Sequence, residues 1–348
     1  LPYLPAMRTK PFLLLAGISG TGKSRIVREM AFAACPKKLQ DANNVSPGNY
    51  CMIEVKPNWH DSTELMGYAS QIGKPHYVVT PFINFIIKAW HHIDTPFFVC
   101  LDEMNLAPAE QYFAEYLSVL ESRKLNQGKI VSEPLIKPEY TQKYIEDFKA
   151  SSSVFNVDNV KSTNIFEDIA KNGLRLPPNL IVIGTINMDE TTYQFSRKVI
   201  DRAMTIEMSH VDFDAMFTDT DYSLQYTDSP MDTEFFLPKY ASAREVLTQL
   251  NDVDQNLLKV QIPELLKRLD NILQSTPFRV AYRVQNELIL YYAALREVLP
   301  NEDGLSILQT SFDDILMMKV LPRIEGNEES LEQPLKALVD FSMDKYPR

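Results

Sequence analysis

The sequence predicts an α/β fold: a five-stranded parallel sheet covered by helices, followed by a small all-helical unit. Three patterns predict it. Five short apolar runs read as strands buried on both faces, because such strands carry continuous rather than alternating hydrophobicity. Helix-like stretches fall between the runs, the alternation that a parallel sheet requires. Beyond a stretch with no Lys or Arg from Ala203 to Pro238, the pattern turns purely helical.

The first run, Phe12 to Ala16, leads through a glycine-rich turn into a helical stretch from Ser24 to Ala34, stopped by Pro36. A second run, Cys51 to Val55, is followed by a helix over Phe82 to His92 and a third run, Phe97 to Leu101. The helix from Pro108 to Arg123 opens with a proline, which a first helical turn tolerates. The pattern then weakens into Asn, Ser, Lys and Asp, with Ser151-Ser152-Ser153 at its centre, and 124–179 reads as an insertion, part helical and part mobile. The last two runs are Leu180 to Gly184 and Ala203 to Ile206. Asp212, Asp214, Asp219, Asp221, Asp228, Asp232 and Glu234 make 210–240 an acidic connector. After it, Ile262, Leu265, Leu266, Leu269, Ile272 and Leu273 follow helical spacing, as do Val284, Leu288, Tyr291, Tyr292 and Leu295. Further helices are expected over Ile307 to Val320 and Leu331 to Phe341. The expected division is a leader over 1–10, an α/β nucleotide-binding domain over 11–209 with insertions near 64–80 and 124–179, the connector, and a helical lid over 241–348.

Composition bounds the function. The chain has 348 residues, 45% hydrophobic and 23% charged, which is globular usage and excludes a disordered chain. No run approaches the ~20 apolar residues of a membrane-spanning helix, so no membrane partner is expected. The opening Leu1-Pro2-Tyr3-Leu4-Pro5 lacks the features of a signal peptide. The chain starts with Leu and not Met, which leaves open that it is a fragment with a domain upstream. With 35 basic against 46 acidic residues, the net charge of -11 argues against nucleic-acid binding through global charge. Cys35, Cys51 and Cys100 show no metal-ligand spacing and read as buried thiols of a cytoplasmic protein. No Cys/His cluster accompanies His91-His92, so no zinc site is expected.

Gly17-Ile18-Ser19-Gly20-Thr21-Gly22-Lys23-Ser24 matches G-x-x-x-x-G-K-[ST], after a strand and before a helix, as that motif requires. The glycines let successive N–H groups of Gly20, Thr21, Gly22 and Lys23 point inward at phosphate oxygens, and the helix dipole adds to their pull. Lys23 is placed for the β- and γ-phosphates and Ser24 for Mg²⁺. One helix-strand-helix unit downstream, the run ending at Leu101 closes on Asp102 and Glu103. In an open α/β sheet that edge lies beside the phosphate loop. Asp102 is expected to hold Mg²⁺ and Glu103 to polarise an attacking water.

With these residues in order, the chain resembles the AAA+ ATPases. In that family the strand corresponding to Ile181 through Asn187 carries a polar residue that positions the water, a role the resemblance assigns to Asn187. Phe195-Ser196-Arg197-Lys198-Val199-Ile200-Asp201-Arg202-Ala203-Met204 resembles the stretch ending in an arginine finger that reaches a neighbouring subunit. Arg202 fits it, with Arg197 the runner-up. The phosphate loop together with Val55-Lys56-Pro57-Asn58-Trp59-His60-Asp61, Leu65-Met66-Gly67-Tyr68, Leu101 to Ala107 and Gly184 to Asp189 is more specifically similar to McrB-type motor subunits. That resemblance implies a nucleotide-driven hexamer, Mg²⁺ as cofactor, an McrC-type endonuclease partner, and DNA reached through that partner or an upstream domain. GTP-using McrB proteins carry Met-Asn-x-x-Asp followed by Arg. Here Glu190 and Thr191 stand at the last two places, so ATP is expected, with GTP the alternative.

Three lesser expectations follow from the same resemblance. Gly67 to Thr80 resembles an inserted hairpin, a feature of both McrB-like and MoxR-like members. Trp59 and His60 lie where such rings place pore loops, although Trp59 reads equally as core. Arg283, with Arg279 second, stands where AAA+ lids carry an arginine that contacts the γ-phosphate. A MoxR-like chaperone acting on protein and a nucleotide-gated scaffold that barely turns over are the rival functions.

Overall fold

Both faces of the central sheet are covered over Phe12–Gly17, Phe97–Asp102 and Leu180–Asn187, which is why these strands read as unbroken apolar runs. The run from Cys51, expected to be buried, instead lies in an edge strand with Met52 exposed. The computed structural model describes residues 2–43, 45–152, 159–188, 195–209, 224–326 and 328–345. Its strands are β1 (Phe12–Gly17), β2 (Tyr50–Glu54), β3 (Tyr68–Ser70), β4 (His76–Val78), β5 (Phe97–Asp102), β6 (Lys124–Asn126), β7 (Lys129–Val131), β8 (Pro134–Ile136), β9 (Leu174–Arg175), β10 (Leu180–Asn187) and β11 (Met204–Glu207). The five-stranded sheet has the order β11-β1-β10-β5-β2 and is parallel throughout. From β1 the chain crosses to the far edge at β2 and returns through β5, and β10 then enters between β5 and β1. The register sets Gly17 beside Asn187 and Gly184 beside Leu101. The carboxyl ends of β1, β10 and β5 therefore meet at one edge.

Strand alternation divides the core. Phe12, Leu14, Phe97, Val99, Leu101, Leu180 and Val182 pack with the helices Pro81–His91 and Ala114–Glu121 on one face. Leu13, Leu15, Phe98, Cys100, Ile181 and Ile183 face the other way, toward Val27 and Ala31 of the helix Lys23–Ala33. That second cluster continues without a break into Leu258, Tyr291 and Phe312 of the C-terminal helices. The helical unit thus shares a hydrophobic core with the sheet instead of forming one of its own.

The C-terminal helices are well capped. Asn251 accepts the Asp254 N–H at the start of Asp252–Leu273. The Asp303 carboxylate does the same for Leu305 and Ser306 at the start of Gly304–Ile315. Ser242 and Glu245 form a reciprocal capping box on Ala243–Leu247. Tyr282–Val298 runs through the centre of this unit.

Several expectations are refined. The stretch read as a leader contains a helix, Tyr3–Thr9, whose Ala6 and Met7 are fully buried. Two turns are too short for periodicity to show. The single helix expected after Pro108 breaks at Phe113 into Ala109–Tyr112 and Ala114–Glu121. The helix expected to Val320 is α-helical to Ile315 and widens into a π turn over Leu316–Val320. The hairpin expected near 64–80 is β3 paired antiparallel with β4, entered through Gly67 at φ 78°. The insertion 124–179 holds the pairs β6–β7 and β8–β9 and helices Pro138–Lys143, Ile145–Ser151 and Asn159–Asn172. Ser153, Asp212, Asp214, Asp219 and Asp221 lie outside the described residues. Among the described residues no helix is long and apolar enough to cross a membrane.

Candidate active site

The glycine-rich loop follows from β1. Gly17 ends that strand so close to the Met208 carbonyl that a Cβ would meet its oxygen at 2.4 Å. Gly20 and Gly22 lie in the left-handed region, at φ 83° and 80°, where L side chains carry a steric cost. Beyond each of them the space is open. The helix Lys23–Ala33 starts directly after the loop, and the N–H groups of a first turn have no acceptor within their own helix. The buried Lys23 ammonium donates to the carbonyls of Gly17 at 3.0 Å and Ile18 at 2.6 Å, which holds it across the mouth of the loop.

Six side chains, from β5, β10, the turn after β5 and this helix, join at the sheet edge. The Ser24 hydroxyl donates to Asp102 Oδ1 at 2.8 Å. The Thr185 hydroxyl donates to the same oxygen at 2.8 Å and accepts the Glu103 N–H at 2.9 Å. Asn187 Nδ2 donates to Glu103 Oε1 at 3.0 Å. Asn105 Nδ2 donates to the Asn187 carbonyl at 3.2 Å. Glu103 adopts φ 52°, ψ 49°, a conformation that costs a non-glycine residue about 1 kcal/mol or more. The contacts from Thr185 and Asn187 hold it there. The strained backbone turns the Glu103 carboxylate toward Asn187 while Asp102 stays turned toward Ser24.

This edge suits a hard divalent cation with a phosphorylated ligand. Ser24 and Asp102 offer oxygen donors of the kind Mg²⁺ takes, and Mg²⁺ fills its remaining positions with phosphate and water. Among the described residues no group of three or more His, Cys, Asp or Glu is arranged to hold a metal by itself.

Gly20, Thr21, Gly22, Lys23, Ser24, Asp102, Glu103 and Asn187 are thus brought together, and Arg202 and Arg283 are not among them. Met204 pairs with Leu13 in the sheet, so Arg202 lies at the amino edge of β11, opposite the loop. It pairs with Glu121 at 2.8 Å, and Arg283 takes the other oxygen of the same carboxylate at 2.6 Å. Arg283 also lines a cleft with Thr9 and Lys10, which precede β1. Arg283, expected as the lid arginine, therefore shares a carboxylate with Arg202. The helical unit meets the helix Tyr3–Thr9 through Tyr282–Val298 and meets β11 through Leu316–Val320. Asp201 binds Arg323 at 3.0 Å in the same cluster. Arg197 stacks on Phe278 at 4.7 Å, and Arg279 pairs with Asp270 at 3.1 Å.

Trp59 is buried edge-on against Tyr112, 5.2 Å between centroids, which is a core role and not a pore contact. His60 is exposed. Cys35 and Cys100 are buried and Cys51 is half-buried. Burial pushes the Cys100 thiol up to about 12, and Cys51 up to about 11. Asp189, Glu190 and Thr191, on which the choice of base rests, lie outside the described residues.

Sequence reading missed Thr185 and Glu121. The signal for Thr185 was present: Thr185 and Asn187 are two residues apart on a strand, hence on one face. Glu121 had no such signal, since it ends a helix and gains meaning only from arginines far along the chain.

A domain family described as a domain of unknown function, DUF8727, matches residues 235–348. Among curated proteins, none matches the chain.

Proposed function

We propose that the chain is a Mg²⁺-dependent nucleoside triphosphatase of AAA+ type, hydrolysing ATP with GTP as the alternative base. The observation that carries this reading is the hydrogen-bonded series Ser24–Asp102–Thr185–Glu103–Asn187 at the mouth of a glycine-rich loop. In this reading the loop N–H groups from Gly20 to Lys23 cradle the phosphates and the Lys23 ammonium exchanges its loop carbonyls for phosphate oxygens. Ser24 and Asp102 would hold Mg²⁺, which when bound neutralises phosphate charge. Glu103 accepts the proton of a water whose oxygen attacks the γ-phosphorus. The bond from that phosphorus to the bridging oxygen breaks, and nucleoside diphosphate and phosphate leave. Asn187 fixes the Glu103 carboxylate toward the attacking side.

Arg202 supplies positive charge to the site of a neighbouring copy. Its position on the edge opposite its own loop supports action in trans, and Arg283 on the same Glu121 carboxylate supports a joint role. The motor reading, a hexameric ring of McrB type working with an McrC-type endonuclease on DNA, rests on the sequence resemblance. The MoxR-like alternative differs in taking a protein substrate.

The test is hydrolysis of ATP and of GTP with Mg²⁺ over a range of protein concentrations, with Arg202→Ala alongside. Specific activity that climbs with concentration and collapses in the variant supports shared sites. Activity that is flat with concentration and indifferent to Arg202 overturns them.

A further inference from the structure

The helical unit and the arginine-bearing turn are joined by a buried charge cluster that the reaction described above does not use. Glu287, on the helix Tyr282–Val298, is 3% exposed at its side chain and lies between two ammoniums, Lys10 at 2.5 Å and Lys319 at 3.0 Å. Lys319 is itself 2% exposed. Its Nζ also donates to the carbonyls of Asp201 at 2.8 Å and Ala203 at 2.6 Å, and lies 3.4 Å from that of Ile200. These carbonyls end the helix Arg197–Ile200 and lead into β11, so Arg202 is bracketed on both sides by backbone that Lys319 holds.

Burying three charges is expensive, and an apolar cluster of similar volume would commonly serve stability as well or better. What this cluster supplies is direction. Burial alone would raise the Glu287 carboxyl, but the ammoniums of Lys319 and Lys10 outweigh it and hold the carboxyl below its usual range. Glu287 therefore stays ionised and fixes Lys319. The two ammoniums against one carboxylate leave a net positive charge, which the carbonyls of the turn offset at a helix carboxyl end, where cations are favoured. The π turn over Leu316–Val320, which carries Lys319, packs along β11.

We infer that Lys319, anchored by Glu287 and Lys10, is a positioning residue for Arg202, setting the turn that presents this arginine to a neighbouring copy. The inference rests on the shared-site triphosphatase reading. It ties the placement of Arg202 to the docking of the helical unit, because Glu287 and Lys319 both belong to that unit.

The experiment uses the full chain. Lys319→Met leaves Glu287 with one partner, so Glu287→Gln/Lys319→Met is made in parallel to avoid a strained buried charge, and Lys319→Arg serves as the conservative rescue. Mg·ATP binding is expected to stay within about twofold of wild type, since the phosphate loop is untouched. Hydrolysis is expected to fall by up to about a hundredfold, the scale set by a misplacement of about 1 Å, and to recover partly in Lys319→Arg. Mixing separates positioning from general damage. A Lys319→Met chain keeps a sound phosphate-loop side, so adding Glu103→Gln chains, which bring a sound Arg202 side, restores activity. Adding Arg202→Ala chains does not. Hydrolysis within twofold of wild type in both Lys319 variants, or rescue by Arg202→Ala and not by Glu103→Gln, overturns the positioning role alone. Failure of Arg202→Ala and Glu103→Gln to rescue each other overturns the shared-site reading and the positioning role with it.

Discussion

Thr185→Val is the most informative single change in the site. Valine keeps the shape of threonine and its strand preference but removes the hydroxyl. The wild-type hydroxyl bonds an Asp102 oxygen at 2.8 Å and receives the Glu103 N–H at 2.9 Å. Losing a bond to a charged group costs about 1.5–3 kcal/mol, and an orphaned buried amide costs about 1–3 kcal/mol. Asp102 keeps its bond from Ser24 and valine gains a little as an apolar residue, so the net loss is about 3 kcal/mol. The N–H that goes unheld belongs to Glu103 at φ 52°, so its strained backbone is free to relax and swing the carboxylate away. Urea unfolding is the assay for stability: the midpoint should drop with the slope unchanged. Steady-state hydrolysis should fall about tenfold or more while Mg·ATP still binds, consistent with loss of a positioned general base. Thr185→Ser, which keeps the hydroxyl, should recover much of both. A valine variant that unfolds at the wild-type midpoint and hydrolyses at the wild-type rate would refute the claim that this hydroxyl holds the two carboxylates apart.

Other outcomes follow from the same geometry. Glu103→Gln should bind nucleotide and hydrolyse it about 10²-fold more slowly or worse, and undiminished turnover would remove Glu103 from the reaction. Gly17→Ala should lower stability by about 2 kcal/mol in thermal or chemical melts, because its Cβ would meet the Met208 carbonyl oxygen at 2.4 Å; a neutral effect would mean that the chain after β11 yields easily. Burial alone would raise the Asp254 carboxyl, but hydrogen bonds from Arg296 and Tyr292 outweigh it and hold it below its usual value. A carboxyl with a depressed folded-state value contributes stability above its unfolded value of about 3.9 and loses it as pH falls through the folded one. Asp254→Asn should therefore flatten the acid limb of the stability–pH curve, and an unchanged limb would contradict the assignment. A thiol reagent at neutral pH should leave Cys100 unmodified in the folded chain, with its thiol at about 12, and label it after unfolding; fast labelling of the native protein would contradict its burial.

Much of the architecture could be read from residues because the physics that forms it is local. Phe97 to Leu101 is apolar at every position since the sheet is covered on both sides, and Asp102 and Glu103 stand where that cover ends. The glycine-rich loop is legible for a similar reason, its glycines answering to backbone angles. The hairpin β6–β7 pairs only Lys124–Asn126 with Lys129–Val131, too short for alternation to show. Trp59 follows a strand and precedes a charged turn, a context that does not separate a pore contact from the core position the fold gives it. Arg283 was legible as an arginine opening a helix, but its partner Glu121 is 162 residues away. Which carboxylate it meets depends on how the helical unit docks, a sum of many weak apolar contacts that no short window of sequence contains.

The continuous core has a bearing on how this chain can be cut and how it can change. Leu13, Leu15, Phe98, Cys100, Ile181 and Ile183 share one apolar cluster with Leu258, Tyr291 and Phe312. A fragment ending after β11 would expose the apolar residues of the helix Tyr3–Thr9 and of β11 that the C-terminal helices pack on, and the matching fragment from 235 onward would expose the opposite side of that contact. Each would be expected to aggregate when expressed alone and to gain solubility when both are produced together. Substitutions on the two sides of the break are then coupled, a larger side chain in the sheet calling for a smaller one in the helices. Residues 235–348 would then be transplanted with success only together with the surface they pack on.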